Sequence, residues 1–171
     1  MRKPLGLVAS LLVVSISAVA DEPPLADPLL DRMVGTWVLR GTIAGAETTH
    51  DVVAEWVLNH QYVRLHEVSR EKDAAGRPAY EAIVFLGADK AANGYACLWL
   101  DSTGGGGLNA QAIGHAKRGG NEIALVFRGA DGSVFHTTFA YDRAADAWRW
   151  LMDAEEGGTL KPFARVRLTK P

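Results

Sequence analysis

The chain lacks the features that most directly reveal a chemical function. It has no nucleophile elbow, no phosphate-binding loop and no close-spaced cluster of metal ligands. Cys97 is its only cysteine, so an intramolecular disulfide is excluded and stability must come from packing. Its longest apolar run, Leu5 to Val14, is interrupted by Ser10 and is short for the roughly 20 residues of a membrane span. The sequence therefore limits the architecture more closely than the chemistry.

The first twenty residues have the pattern of a secretory signal peptide. Arg2 and Lys3 give a basic start, an apolar stretch follows, and Ala18-Val19-Ala20 forms a small-x-small cleavage site. We predict a signal peptide over 1–20 and one mature domain over 21–171, exported to the periplasm or secreted. No cysteine stands directly after the cleavage site, so the attachment point of a bacterial lipoprotein is missing there.

The charge of the mature chain argues against two classes of partner. Loss of Arg2 and Lys3 leaves 16 basic residues against 20 acidic ones. A net charge of about −4 makes nucleic acid and anionic membrane surfaces poor partners. A small molecule is the expected partner, and no membrane span is expected after cleavage. The sequence does not decide whether the protein forms a homodimer.

Short runs rich in Val, Thr, Trp, Tyr and Phe alternate with Gly, Asp and Asn clusters, which is typical of antiparallel β-structure. The predicted strands are Thr36–Thr42, Thr48–Leu58, Tyr62–Arg70, Ala79–Gly87, Tyr95–Asp101, Leu108–His115, Glu122–Arg128, Ser133–Asp142, Ala147–Asp153 and Thr159–Leu168. Because the connections are short, an up-and-down order is favoured.

About ten consecutive strands favour a closed barrel, since closure pairs both edges of the sheet. The fold class we predict is all-β, with a single up-and-down antiparallel barrel. At this strand number the interior is wider than its own side chains readily fill, so a ligand-sized lumen is expected. A two-layer sandwich with a dry core is the alternative. Asp27 to Val34 is predicted to be a short N-terminal helix, capped by Asp27, that plugs one barrel end.

The start of the first strand resembles a known superfamily. Gly35-Thr36-Trp37 follows the helical turn, and Arg165 or Arg167 in the last strand is available to lie over the indole. This combination resembles the calycin superfamily of lipocalins and fatty-acid-binding proteins. Gly35, Trp37, Arg165 and Arg167 are the structural signature that the resemblance implies.

Three further segments narrow the resemblance. They are Glu55-Trp56-Val57-Leu58-Asn59, the stretch from Tyr80 to Asp89, and Trp99-Leu100-Asp101 followed by glycines. The set is similar to bacterial exported lipocalin-like domains of unknown function, which implies a barrel with a lumen and no established activity. Haem-binding barrels of similar architecture carry their iron-ligating histidine near the chain end. Thr159 to Pro171 has no histidine, so no haem and no other cofactor is expected.

The histidines do not suggest a metal site. His60 lies in a predicted turn and His50 lies near a strand end, so both are expected to be solvated. His66, His115 and His136 lie inside strands, where alternation points about half of the positions inward. These three lie on distant strands without a close-spaced pair of ligands, so no metal is expected.

The third strand does not declare its orientation, because Tyr62, Arg64 and His66 share one face while Val63, Leu65 and Glu67 share the other. An inward Arg64 would favour a carboxylate-bearing, fatty-acid-like ligand. The candidate ligand-binding residues of the lumen are Tyr62, Arg64, His66, Tyr80, Trp99, His115, His136 and Trp150. No catalytic residue is assigned.

Three functions stay open. The leading hypothesis is a carrier that holds a small apolar or amphipathic molecule in its lumen. An enzyme is the less favoured hypothesis. The second is a lumen enzyme acting on a small hydrophobic substrate, which needs an inward acid–base pair involving Glu67 or Arg64 with Glu55. The third is a filled barrel that serves as a scaffold for protein contacts, which predicts no cavity.

Overall fold

A computed structural model describes residues 23–104 and 108–171. The predicted signal peptide lies outside these residues. In the described part the chain forms a short helix α1, Pro28–Asp31, and ten strands. The strands are β1 Gly35–Ile43, β2 Ala46–Val57, β3 Tyr62–Ser69, β4 Glu81–Asp89, β5 Gly94–Asp101, β6 Ile113–Lys117, β7 Glu122–Arg128, β8 Val134–Asp142, β9 Ala147–Glu156 and β10 Thr159–Thr169. Among the described residues no helix is long and apolar enough to cross a membrane.

The strands close into one antiparallel barrel in chain order. Each strand pairs with the next, and β10 pairs with β1 from Val38 opposite Thr169 to Ile43 opposite Ala164. The predicted all-β, up-and-down barrel is therefore confirmed. The pairing is unequal around the ring: in the described residues, β6 and β7 share one register position, His115 opposite Val126, whereas β7 and β8 share seven.

The sixth strand differs from its prediction. A strand over Leu108–His115 was expected, but β6 begins at Ile113 and a 3₁₀ turn, Ala110–Ala112, precedes it. The side chain of Asn109 accepts a hydrogen bond from the backbone N–H of Gln111 at 2.8 Å. This local cap competes with strand pairing and delays the strand by five residues relative to the prediction.

Helix α1 is held at its start by Asp27. The Asp27 carboxylate accepts hydrogen bonds from the backbone N–H groups of Leu29 and Leu30, and Pro28 occupies the first helical position. The second carboxylate oxygen of Asp27 accepts a hydrogen bond from the Tyr95 hydroxyl at 2.9 Å. The predicted cap is confirmed, and the helix is shorter than the predicted segment.

Two tryptophans fix the chain that follows α1 against the barrel. Trp37 Nε1 donates to the carbonyl oxygen of Met33 at 2.8 Å, and Trp148 Nε1 donates to that of Arg32 at 3.3 Å. Leu30 is fully buried beside them. Large side chains therefore fill this end of the barrel, which we call the filled end.

The predicted arginine over the indole is a lysine. Lys170 Nζ lies 3.5 Å from the centre of the Trp37 ring. Arg165 instead donates to the carbonyl oxygen of Met152, and Arg167 lies beside Asp142. Because the alternate residues of β10 are buried, both arginines point away from the core. Lys170, beyond the strand end, is free of that constraint.

Candidate functional site

A cavity of about 630 Å³ occupies the end of the barrel opposite α1. Exposed residues at the start of β2, Ala46 and Glu47, form part of its lining, so it opens to solvent there. We call it the open-end cavity. Its volume lies within the range of roughly 300–1,000 Å³ that is typical of small-molecule sites.

Apolar and aromatic side chains form much of the cavity wall. Trp99, Phe127 and Phe135 line it, and Phe163 stacks edge-on against Phe135 with 5.4 Å between ring centres. Gly114 makes room for this wall, since a Cβ there would lie 2.6 Å from the Phe127 ring. Such a wall suits the apolar body of a ligand.

Tyr80 and Trp99 line the cavity, whereas Trp150 does not form part of the lining; contact of these residues with a ligand stays a prediction. Trp99 Nε1 donates to the Tyr80 hydroxyl at 3.1 Å, and its ring meets Trp150 edge-on with 6.3 Å between centres. Burial, with a smaller contribution from the charge of Glu67, raises the pKa of Tyr80 well above its usual value. Tyr80 is therefore a neutral hydroxyl in the cavity wall.

In strand β3 the face that carries Val63, Leu65 and Glu67 points into the barrel, not the face that was predicted to line the lumen. Val63, Leu65 and Glu67 are buried, so the alternating residues lie on the outer wall. Arg64 pairs there with Glu55.

The remaining outward residues of β3 complete the correction. Tyr62 is 43% exposed, and His66 bonds to Glu81 at 2.7 Å on the outer wall. The expected lumen positions of Tyr62, Arg64 and His66 are thus corrected, and the outward pairing of Arg64 with Glu55 does not supply an inward acid–base pair.

His115 and His136 also lie outside the lumen. His115 is 62% exposed and contacts Asp89, while His136 bonds to Glu155 at 2.9 Å. In both strands the alternate positions are the buried ones, Ala116 in β6 and Thr137 in β8. The expectation that these histidines line the lumen is corrected for the same reason as in β3.

The polar centre of the cavity is a buried pair that the sequence interpretation missed. His50, expected to be solvated, is 3% exposed, and its Nδ1 forms a short hydrogen bond with Oε1 of Glu67, which is 2% exposed. The His50 ring also stacks on Tyr80 with 5.7 Å between centres. Alternation in β2 was the available signal, because His50 shares its face with Val52 and Ala54.

The hydrogen bonds around this pair fix the positions of its protons. Thr48 Oγ1 lies 2.7 Å from His50 Nε2 and donates to Glu71 Oε2 at 3.0 Å. Since a hydroxyl has one proton, Thr48 must accept from His50, so Nε2 carries a hydrogen. One further proton is then shared between Nδ1 and Glu67. The chain of bonds connects the buried Glu67 with the exposed Glu71.

Glu71 is held in its ionised form at the cavity mouth. Its carboxylate accepts from its own backbone N–H, from the N–H of Thr49 and from the hydroxyls of Thr48 and Ser69, and these bonds lower its pKa below the usual value. An ionised carboxylate cannot donate, which supports the direction of the Thr48 hydrogen bond.

This lowered pKa predicts a pH dependence of stability. The bonds to Glu71 stabilise the fold above the unfolded-state pKa, and that contribution is lost as the pH falls through the lower folded-state value. We expect the free energy of unfolding in urea to fall less for Glu71→Gln than for the wild type between neutral pH and about pH 3. Glu122→Gln, on the exposed start of β7, is the control. Equal pH dependence of wild type and Glu71→Gln would contradict the assignment.

Two buried polar atoms near the cavity have no hydrogen-bond partner among the described residues. They are Glu67 Oε2 and Trp150 Nε1. Native interiors satisfy most such groups, because an unpaired buried polar atom costs about 1–3 kcal/mol. The Glu67 oxygen belongs to a residue of the cavity lining and is the stronger indication of a binding position.

Most ionisable side chains of the cavity lining are carboxylic acids, and the others are His50 and Tyr80. The acidic residues are Glu47, Glu67, Glu71 and Asp101, and the described lining includes no lysine or arginine. No group of three or more His, Cys, Asp or Glu residues in the described chain is placed to hold a metal ion. The arrangement can bind hydrogen-bond donors and move a proton within the His50–Glu67 pair.

The closed antiparallel barrel is consistent with a calycin-like fold. In comparisons with known proteins, no protein family and no curated protein matches the chain.

Proposed function

We propose that this protein binds a small amphipathic molecule in the open-end cavity and acts as an exported, lipocalin-like carrier or sensor. The observation that carries the proposal is the division of the barrel into a filled end and a hollow end of about 630 Å³. The aromatic wall receives an apolar body, and the buried pair supplies the few polar contacts that orient a ligand. A scaffold with a filled interior does not account for this cavity.

The fatty-acid expectation loses its main support. It depended on Arg64 pointing inward, and Arg64 pairs with Glu55 on the outer wall. The proposal therefore keeps an apolar or amphipathic ligand and drops the inward arginine as its anchor.

A lumen enzyme is the second candidate, favoured by one geometric observation. Thr48 Oγ1, the His50 ring and the Glu67 carboxylate follow one another as a hydroxyl, a base and an orienting acid do in nucleophilic catalysis. Against this, Thr48 donates its proton to Glu71. Turnover of a p-nitrophenyl ester that His50→Gln abolishes would favour the enzyme, and turnover unchanged by that substitution would count against it.

The carrier proposal is tested by native mass spectrometry of protein purified from its own compartment, with masses compared before and after denaturation. We expect a released molecule of a few hundred daltons, in keeping with the cavity size. Repeated absence of any bound mass, together with no uptake of the fluorescent probe 1-N-phenylnaphthylamine, would contradict the proposal.

Filling the cavity provides a matched test. Ala112 lines the open-end cavity, so Ala112→Trp is expected to place an indole in the space of the ligand. If the overlap costs roughly 1–3 kcal/mol, affinity for 1-N-phenylnaphthylamine falls about 5- to 150-fold. Ala144→Trp, in the exposed β8–β9 turn, is the control and should bind the probe as the wild type does. Equal loss in both variants would place probe binding outside the cavity.

A further inference from the structure

The open-end cavity has an unbalanced charge. The Glu71 carboxylate, ionised at neutral pH, lies at its mouth, and Asp101 lies beside Tyr80 in its wall. No lysine or arginine stands among the described lining residues, and positions 105–107, which the structure does not describe, are glycines that add no charge. The field of such a cleft attracts cations and repels anions.

A second, independent observation points to the ligand. Glu67 is 2% exposed and belongs to the cavity lining, yet its Oε2 has no hydrogen-bond partner among the described residues. Its other oxygen is taken by His50. A buried acceptor of this kind is stabilised by a donor that enters with the ligand. Neighbouring side chains cover the oxygen, so contact requires a side-chain adjustment in the wall.

The aromatic wall has the same preference. Tyr80, Trp99, Phe127 and Phe135 line the cavity that contains these carboxylates. Aromatic faces attract ammonium groups, and the attraction increases when water is excluded. A carboxylate head group, by contrast, would meet acidic oxygens and the negative faces of the rings.

We propose that the open-end cavity selects an amphipathic molecule with a protonated amine or another cationic hydrogen-bond donor, which binds to Glu67 and is drawn in by Glu71 and Asp101. This inference rests on the proposed carrier function and names the chemical class of its ligand. The apolar body of the ligand lies against Trp99 and Phe135. Carboxylate-bearing lipids of the same length are rejected.

Three probes with the same alkyl chain separate the head groups. Binding of decylamine, decan-1-ol and decanoate is measured below their micelle concentrations by displacement of 1-N-phenylnaphthylamine. We expect decylamine to bind most tightly and decanoate least. Loss of one charge-assisted hydrogen bond in Glu67→Gln should weaken decylamine about tenfold or more. Loss of the more exposed charge in Glu71→Gln should weaken it about three- to fivefold. Decan-1-ol should change little in either variant.

Glu81→Gln is the matched control, because Glu81 lies on the outer wall beside His66. It should leave all three affinities unchanged. If thermal unfolding shows that Glu67→Gln does not fold, Glu71→Gln and Asp101→Asn replace it, and both should weaken binding of decylamine.

The outcomes separate the inference from the function on which it rests. Equal or tighter binding of decan-1-ol or decanoate, or equal effects of Glu81→Gln and Glu71→Gln, overturns the cationic selectivity and leaves the carrier standing. Absence of binding by all three probes and by 1-N-phenylnaphthylamine overturns both.

Discussion

Replacement of His50 by alanine is expected to lower the free energy of unfolding by about 3–5 kcal/mol, the cost of removing one partner of a buried, hydrogen-bonded acid–base pair. His50 and Glu67 are 3% and 2% exposed, so the substitution removes the only partner of the Glu67 carboxylate among the described residues. Thr48 Oγ1 also loses the ring nitrogen that lies 2.7 Å away. Urea unfolding at neutral pH measures the change.

The neighbouring residue on β3 offers a matched control. His66 forms the same kind of pair with Glu81, but these side chains are 38% and 50% exposed. His66→Ala should therefore cost less than about 1 kcal/mol. The double variant His50→Leu with Glu67→Leu should recover much of the lost stability, since an apolar pair replaces both buried polar groups. Similar costs for His50→Ala and His66→Ala would refute the importance of burial.

Trp37→Ala is expected to destabilise the barrel by about 3–5 kcal/mol, as truncation of a fully buried tryptophan does. Trp37 is 1% exposed, and its Nε1 holds the carbonyl oxygen of Met33 at 2.8 Å. The substitution leaves a void in the filled end and releases the chain that follows α1. Thermal and urea unfolding should both show the loss.

The lysine above the ring separates packing from charge. Lys170→Ala removes the cation 3.5 Å from the Trp37 ring and keeps the buried indole, so it should cost no more than about 1 kcal/mol. If Lys170→Ala proved as costly as Trp37→Ala, the anchoring would come from the cation rather than from packing.

The barrel could be predicted because its signals are local. Turn residues and β-rich runs recur along the chain, and nine of the ten predicted strands overlap observed strands closely. The sixth was misplaced because one Asn109 side chain caps a 3₁₀ turn, which the apolar content of the segment does not indicate. Closure of the barrel could be predicted from the number of strands, because closing the sheet pairs its two edges with each other.

The site was harder to predict from the sequence than the fold. Whether a side chain points inward depends on which alternate positions of its strand face the core. In β3 both faces mix apolar with polar residues, so the pattern does not indicate whether Arg64 or Glu67 points into the barrel. Glu67 lies inside because His50 faces it from β2 and satisfies one of its oxygens. That partner is 17 residues away, and periodicity within one strand does not contain it. Tyr80 and Trp99 line the open-end cavity, and their contact with a ligand stays a prediction.

The joint between β6 and β7 has a kinetic consequence. A single paired position joins these strands in the described chain, and Phe127 and the 3₁₀ turn beside it form part of the cavity wall. Local opening requires the least free energy where the fewest ladder hydrogen bonds must break. We therefore expect local opening of the barrel to begin at this joint. For the ligand that we propose, the residence time in the cavity would then depend on local opening between β6 and β7 and not only on the contacts in the cavity wall.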